Sequence, residues 1–178
     1  MSRYKLSTRV QVTPDNVRGL EVAWTYRMGT LEKPAAMQFP AVEGTPILAD
    51  GRLYVCSSLN RVVALDPEKG TEIWSYDPKV DLRGVYVQNC RGVTYWHDDS
   101  APEGSECRGR ILSGTLDGRL LALDAATGKP CSGFGKGGTV DLTAGLGKVQ
   151  SGDYHVTSPP VVVAGRIILG GQIGDNIR

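Results

Sequence analysis

The sequence lacks the long apolar runs and the runs of like charge that mark membrane spans and nucleic-acid-binding surfaces. Its longest apolar stretch, near residues 161–164, is far short of the roughly 20 residues that cross a bilayer. The 20 basic and 19 acidic residues are spread along the chain and leave a net charge of +1, so nothing predicts binding to nucleic acid. The opening residues, MSRYKLSTRV, lack the apolar core of a signal peptide.

Familiar catalytic and metal-binding motifs are also missing. There is no Gly-rich phosphate loop, no serine nucleophile elbow and no HExxH sequence, so nothing favours nucleotide binding or hydrolysis. The four cysteines form no CxxC or CxxH pair, which argues against a zinc site. The two histidines, His97 and His155, stand alone in YWHDDS and DYHVTS, where a solvated or structural role is the simpler interpretation.

What the chain does contain is a repeat. The sequence GRLYVCSSLNRVVALDPEKGTEIWSYD begins at Gly51, and GRILSGTLDGRLLALDAATGKPCSGFG begins at Gly109, which is 109 − 51 = 58 residues later with no gap needed. A partial third copy, AGRIILGG, places Gly165 another 165 − 109 = 56 residues on. Self-similarity at a fixed spacing indicates repeated supersecondary units.

Each copy predicts strand, turn, strand, turn, strand. A Gly-Arg turn opens an aliphatic run, and a polar turn separates it from a second run that ends in Ala-Leu-Asp. In the second copy that polar turn is Asp117-Gly118, a strong hairpin signal because both residue types tolerate positive φ. Units spaced by about 40 to 60 residues, with an aromatic residue near the end of the last strand, predict an all-β fold of propeller blades.

The predicted units account for about three blades, with Trp24 and Trp74 marking the first two. Three blades cannot close a ring, so either several chains assemble into one ring or the chain is a piece of a longer protein. A short helix is predicted at Thr13–Leu20, with Thr13 as its N-cap. The approximate limits are an opening segment at 1–44, a first full repeat at 45–100, a second repeat at 101–150 and a truncated third repeat at 151–178.

Polar residues stand where predicted strands begin or end. Glu43 precedes an incoming strand, Arg91 lies in NCRGV, and Asp175 and Asn176 follow the Gly-rich strand end LGGQIG. Loops at one face of a propeller converge on its channel, so residues from successive blades can meet there. Each also has a plain structural explanation: a surface carboxylate, an arginine lying over a loop, and a turn.

Two interpretations concern the cysteines. Cys107 and Cys131 flank the second hairpin towards the same end of it, which favours a disulfide over free thiols in an exported protein. Such a bond requires Cα atoms within about 7 Å of each other. Cys56 falls within a strand and is interpreted as a small buried apolar residue.

Taken in order, the motifs resemble those of the quinoprotein dehydrogenases that use pyrroloquinoline quinone (PQQ), in particular the membrane-bound glucose, quinate and shikimate branch. The resemblance covers nearly the whole chain and implies an eight-bladed propeller of which this chain is about the first third. The matching stretches are TPDNVRGLEVAWTYRMG, EGTPILADGRLYVCSSLNRVVALDPEKGTEIWSYDPKV, CRGVTYW, RILSGTLDGRLLALDAATGKPCSGFGKGG, VDLTAGLGKVQSGDYHVTSPPVVV and GGQIGDN.

The resemblance also implies where the cofactor binds. The quinone of the family lies in the central channel, and Glu43 and Arg91 resemble its acidic and arginine contacts. A guanidinium suits this tricarboxylate because it can meet an oxygen edge with two parallel hydrogen bonds. Thr157 and Ser158 resemble the family's hydroxyl-bearing pair before the Pro-Pro strand.

A divalent cation, Ca²⁺ or Mg²⁺, is expected against the quinone oxygens. Asp175 and Asn176 resemble the metal-side pair, and a hard cation prefers such carboxylate and amide oxygens. No catalytic residue is predicted within the chain, because the family's general-base aspartate belongs to a later blade, beyond Arg178.

The implied function is oxidation of a sugar or cyclic polyol of glucose, quinate or shikimate type by hydride transfer to PQQ, with electrons passed to ubiquinone. The parent protein is expected in the periplasm, with attachment to the inner membrane left open. Val87 stands where the glucose branch has a histidine, which disfavours glucose and leaves quinate, shikimate or another polyol.

Two further expectations follow. The fragment alone is expected to be inactive. The alternative function is a non-catalytic propeller scaffold for protein assembly, which would have no need of an acid, an arginine and an oxygen-ligand pair on one channel.

Overall fold

A computed structural model describes residues 12–29 and 39–174, and nearly all of its regular structure is β-strand. A single 3₁₀ turn, Val17–Gly19, precedes the strands. Within these ranges no helix is long and apolar enough to cross a membrane. The strands are β1 (Phe39–Ala41), β2 (Ile47–Ala49), β3 (Arg52–Cys56), β4 (Val62–Leu65), β5 (Glu72–Tyr76), β6 (Val87–Asn89), β7 (Thr94–His97), β8 (Gly109–Gly114), β9 (Arg119–Asp124), β10 (Thr139–Asp141), β11 (Tyr154–His155), β12 (Val161–Val163), β13 (Arg166–Ile168) and β14 (Gln172–Ile173).

The helix predicted at Thr13–Leu20 is shorter than expected. The Thr13 carbonyl accepts hydrogen bonds from the backbone N–H groups of Asn16 and Val17 at 3.2 and 2.9 Å, and only a 3₁₀ turn follows. The N-cap is Asn16 rather than Thr13. The 3₁₀ turn buries none of its residues, so no packed apolar face stabilises a longer helix.

Two four-stranded antiparallel sheets carry the repeated sequences, in the orders β2-β3-β4-β5 and β7-β8-β9-β10. Corresponding turns share their backbone conformation. Asn60 and Gly118 have φ of 60° and 73° in the turn between the second and third strands, and Gly70 and Gly128 have φ of 67° and 73° in the next turn. The prediction of all-β units is confirmed.

A tryptophan joins each sheet to the segment before it. The Trp24 ring lies against Gly70, where a Cβ would meet the ring at 2.3 Å, and its indole N–H donates to the Pro67 carbonyl at 3.1 Å. Trp74 repeats the arrangement one unit later, since a Cβ on Gly128 would lie 2.5 Å from its ring. The repeated Gly is therefore required for close approach as well as for its positive φ.

The interface between the two sheets has a polar contact inside an apolar cluster. The Ala125 carbonyl accepts hydrogen bonds from the Tyr54 hydroxyl and the Trp74 indole N–H, both at 3.0 Å. Tyr54 is fully buried, and burial raises the pKa of its hydroxyl to about 12. Around them pack the buried residues Cys56, Val62, Ala64, Cys90, Val93, Ile111 and Leu123.

The third copy of the repeat forms the hairpin β12–β13. One face, with Val162 and Ile167, packs on the second sheet. The other face exposes Val161, Val163 and Ile168, each by more than half of its surface. This hairpin therefore leaves one apolar face uncovered within the described part of the chain.

Candidate cofactor-binding site

Four side chains from three segments meet where strands end. One oxygen of Glu43, Oε2, accepts hydrogen bonds from Asn89 Nδ2 at 2.8 Å and from Arg91 Nε at 3.0 Å. Arg91 also donates through Nη1 to the Thr157 hydroxyl at 2.9 Å. Three of the predicted site residues, Glu43, Arg91 and Thr157, therefore lie together. We call these three residues and Asn89 the cluster.

Backbone pairing fixes the three segments of the cluster. β1 and β6 run parallel, which places the strand before Glu43 beside Asn89. The Arg91 N–H donates to the Thr157 carbonyl at 2.8 Å, and the Arg91 carbonyl accepts from the Thr45 N–H at 3.3 Å. The backbone that carries Arg91 is thus hydrogen-bonded to both neighbouring segments.

The cluster keeps polar atoms available for a ligand. Glu43 Oε1 and Arg91 Nη2 have no hydrogen-bond partner within the described residues. The two side chains are 45% and 49% exposed, whereas Asn89 and Thr157 are buried. A fixed guanidinium with a free nitrogen is suited to an anionic ligand, and the free carboxylate oxygen is suited to a donor.

Ser158 and the predicted metal pair stand apart from these contacts. Ser158 follows Thr157 in the chain, is partly exposed and makes no hydrogen bond within the described ranges. Asp175 and Asn176, the predicted metal ligands, lie outside the described residues. In the part of the chain that is described, no group of three His, Cys, Asp or Glu side chains could hold a metal ion.

The four cysteines form two disulfides, one predicted and one not. Cys107 and Cys131 are bonded, with Cα atoms 5.8 Å apart, which confirms that pairing. Cys56 is buried as expected, but its interpretation as a simple apolar residue was wrong, because it is bonded to Cys90. The end of β3 and the loop after β6 come together only in the folded chain, 34 residues apart.

The two histidines differ in their surroundings. His155 is 4% exposed on β11, whose partner strand β14 places Gln172 opposite it. Burial lowers the pKa of the His155 imidazole, and its polar neighbours Gln172 and Gly152 oppose this in part. His97 lies with its Nδ1 at 2.9 Å from an oxygen of Asp99, which is almost fully exposed.

Sequence reasoning missed Asn89 and Cys90, although both stand directly before the predicted Arg91 in the segment NCRGV. The even number of cysteines was a usable signal, because assigning one pair leaves two that can also bond. Asn89 carried no such signal, because its importance depends on Glu43, 46 residues away in the sequence.

Comparison with known proteins identifies the family of the chain. A family model described as "PQQ: Glucose/ethanol/alcohol dehydrogenase, beta-propeller domain" matches residues 1–178. The glycerol dehydrogenase large subunit of Gluconobacter oxydans (strain 621H) is 40% identical over 178 residues, covering 99% of this chain and 24% of that protein. The quinoprotein glucose dehydrogenase of Escherichia coli (strain K12) is 34% identical over 178 residues, covering 97% of this chain and 22% of that protein.

Solved structures show the same fold. The quinohemoprotein alcohol dehydrogenase of Comamonas testosteroni superposes with a TM-score of 0.67 at 32% identity, over 91% of this chain and 20% of that one. The chain spans about a quarter of the length of its curated relatives. Because the family model matches the sequence from end to end and the strands form propeller blades, the chain belongs to the β-propeller family of PQQ-dependent dehydrogenases.

Proposed function

We propose that this chain is one arc of the propeller of a dehydrogenase that oxidises a polyol or a sugar with PQQ. The observation that carries the proposal is the cluster, in which Glu43, Arg91 and Thr157 converge from separate segments of a chain that matches the family throughout. Further blades, from the rest of a longer polypeptide or from additional copies, would complete the ring.

The chemistry of the cluster fits the cofactor. PQQ carries three carboxylates on a planar ring system, and Arg91 offers a free Nη2 beside two nitrogens that are already held in place. Glu43 offers Oε1 to a ring N–H, while its other oxygen is neutralised by Arg91 and Asn89. We assign Glu43, Arg91, Thr157 and Ser158 to cofactor binding.

Asp175 and Asn176 are assigned to a divalent cation, Ca²⁺ or Mg²⁺, because carboxylate and amide oxygens are the ligands that these ions prefer. When bound, the quinone and its cation supply a Lewis-acid-assisted acceptor for the substrate's hydride. The residues of this chain bind and orient that acceptor, and the general base that takes the substrate's proton comes from a later blade.

The proposed substrate class is a polyol rather than glucose alone. Relatives named as glycerol dehydrogenases are 40% and 39% identical, and one named as a probable quinate dehydrogenase is 35% identical. Val87, on β6 beside the cluster, is apolar where the glucose branch has a histidine. We further propose a periplasmic location and ubiquinone as the electron acceptor, as expected for this branch.

The experiment uses the full-length protein that carries this chain. Purified protein is reconstituted with PQQ across a quinone series and a Ca²⁺ series, and oxidation of glycerol, quinate and glucose is followed with an artificial acceptor. Arg91→Ala removes a partner of the quinone, so its activity should fall about 100-fold and return with excess quinone. Asp175→Ala removes a ligand of the cation, so excess Ca²⁺ should restore it.

Arg52→Ala is the matched control, because Arg52 also forms a surface ion pair, with Asp50 at 3.1 Å, but lies at the other end of β3. It should leave both titrations unchanged. Wild-type protein that takes up no quinone would refute the proposed function. Identical responses of the Arg91 and Asp175 variants would refute the separate roles of the two residues.

A further inference from the structure

The Cys56–Cys90 disulfide lies directly beside the cluster. Cys90 stands between Asn89 and Arg91 in the chain, and both half-cystines are buried, at 1% and 3% exposure. Gly44, which follows Glu43, runs over the bond, since a Cβ there would lie 3.0 Å from the Cys90 carbonyl and 3.8 Å from the Cys56 sulfur. The disulfide therefore lies next to the backbone of both members of the ion pair, Glu43 and Arg91.

We propose that this disulfide positions Arg91 and Glu43 and that cofactor binding depends on it. The inference rests on the proposed function. Arg91 itself is half exposed, and its loop is joined to the neighbouring segments by backbone hydrogen bonds to Thr157 and Thr45, of which the second is long, at 3.3 Å. The bond anchors this loop to the end of β3, a strand inside the first sheet.

Anchoring matters because a ligand must otherwise order the loop when it binds. Immobilising a flexible charged side chain costs free energy, and a site that is already ordered loses less of its binding energy in this way. The ion pair with Glu43 and the hydrogen bond to Thr157 require the Arg91 backbone at one position. A displacement of Cys90 would move the adjacent guanidinium away from both partners.

A disulfide can also stabilise a protein solely by reducing the conformational entropy of the unfolded chain. The Cys107–Cys131 bond allows this effect to be distinguished from positioning of the cluster. Cys56–Cys90 and Cys107–Cys131 span similar sequence separations, 34 and 24 residues, so their effects on the unfolded chain are similar. Strands β7 and β8 are antiparallel, and the two disulfides lie towards opposite ends of this pair. Thr94, which follows Arg91 closely, pairs with Leu112, whereas His97 pairs with Gly109, which follows Cys107 closely.

The test compares two double variants of the full-length protein, Cys56→Ser/Cys90→Ser and Cys107→Ser/Cys131→Ser. Quinone is titrated into each apoprotein by calorimetry, and thermal unfolding is recorded beside it. Both variants should lose a similar amount of thermal stability. The dissociation constant for PQQ should rise about tenfold or more in the first and stay within about twofold of wild type in the second.

Equal affinities in the two variants, whether unchanged or equally weakened, would overturn the proposal. Cys56→Ala/Cys90→Ala, which avoids buried hydroxyl groups, is measured as a second version of the first variant. If neither version folds while the Cys107 and Cys131 variant does, the bond is structural and the proposal is wrong. Wild-type protein that fails to bind quinone would instead refute the proposed function.

Discussion

At the scale of single residues, the guanidinium of Arg91 has two nitrogens held by hydrogen bonds and a third without a partner in the described residues. Nε and Nη1 are engaged by Glu43 and Thr157, and Nη2 remains for a ligand. Asn89 shares the Glu43 oxygen with Arg91, and the negative charge dictates that the amide nitrogen, rather than its oxygen, faces the carboxylate. Two donors on one oxygen leave the other oxygen of Glu43 open.

His155 makes the stability of the protein depend on pH. Burial lowers the pKa of its imidazole in the folded state below the ordinary 6.5, so the unfolded chain takes up the proton first as pH falls. The contribution of His155 to the free energy of unfolding is complete above about pH 6.5 and is lost as pH falls through the lowered pKa. Urea unfolding at pH 7.5, 6.5 and 5.5 should show this decline.

The control for this prediction is the other histidine. His155→Gln should flatten the decline between pH 7.5 and 5.5, whereas His97→Gln should retain it. A His155→Gln protein whose stability follows the wild-type curve over this range would contradict the assignment.

At the scale of elements, the repeat explains how consecutive sheets dock. The strand that ends in Ala-Leu-Asp is followed by a turn that contains a glycine. The tryptophan of the preceding unit packs against this glycine, where a side chain would meet the ring. The same contact occurs for Trp24 on Gly70 and for Trp74 on Gly128. The repeated sequence therefore forms the contact between sheets as well as the hairpin. Each unit supplies the tryptophan that packs against the turn glycine of the next unit.

Gly128→Ala tests that docking. Gly128 has φ of +73° and would place a Cβ 2.5 Å from the Trp74 ring, whereas Gly51 has φ of +68° with nothing within 4 Å. Gly51→Ala should cost about 1 kcal/mol of backbone strain. Gly128→Ala adds a clash with a buried ring and should cost about 3 kcal/mol or more. Urea unfolding of the two variants measures the difference, and equal losses would show that the ring does not constrain the turn.

The strand pattern and much of the cluster were predictable because their signals are local or ordered along the chain. Asp117-Gly118 and the repeated Gly-Arg turns determine hairpins through a few adjacent residues. Asn89 and the Cys56–Cys90 bond were not predictable in the same way, because each depends on a partner brought close by the packing of separate segments. The cysteine pattern allows more than one pairing, and only the folded backbone chooses between them.

At the scale of the whole molecule, both outer surfaces of the described sheets carry exposed apolar residues. Leu48 on β2 is 62% exposed, and Val161, Val163 and Ile168 line the open face of β12–β13. Propeller blades bury such faces against their neighbours, so this arc needs further blades on each side. In the proposed function the cluster faces the channel of the complete propeller, and its ligand would require walls that this arc alone does not supply.

The isolated 178-residue chain should bind PQQ weakly, with a dissociation constant at least about 100-fold above that of the full-length protein. It supplies the cluster but only part of the channel wall, so the quinone would remain largely hydrated, and a ligand gains affinity mainly where most of its surface is buried. Calorimetric titration of the chain and of the full-length protein measures the difference. Light scattering is recorded on the same samples, because copies that join through their exposed faces could complete a ring. Tight, stoichiometric binding by a monomeric chain would contradict the prediction, whereas tight binding confined to an assembled ring would locate the missing walls in neighbouring copies.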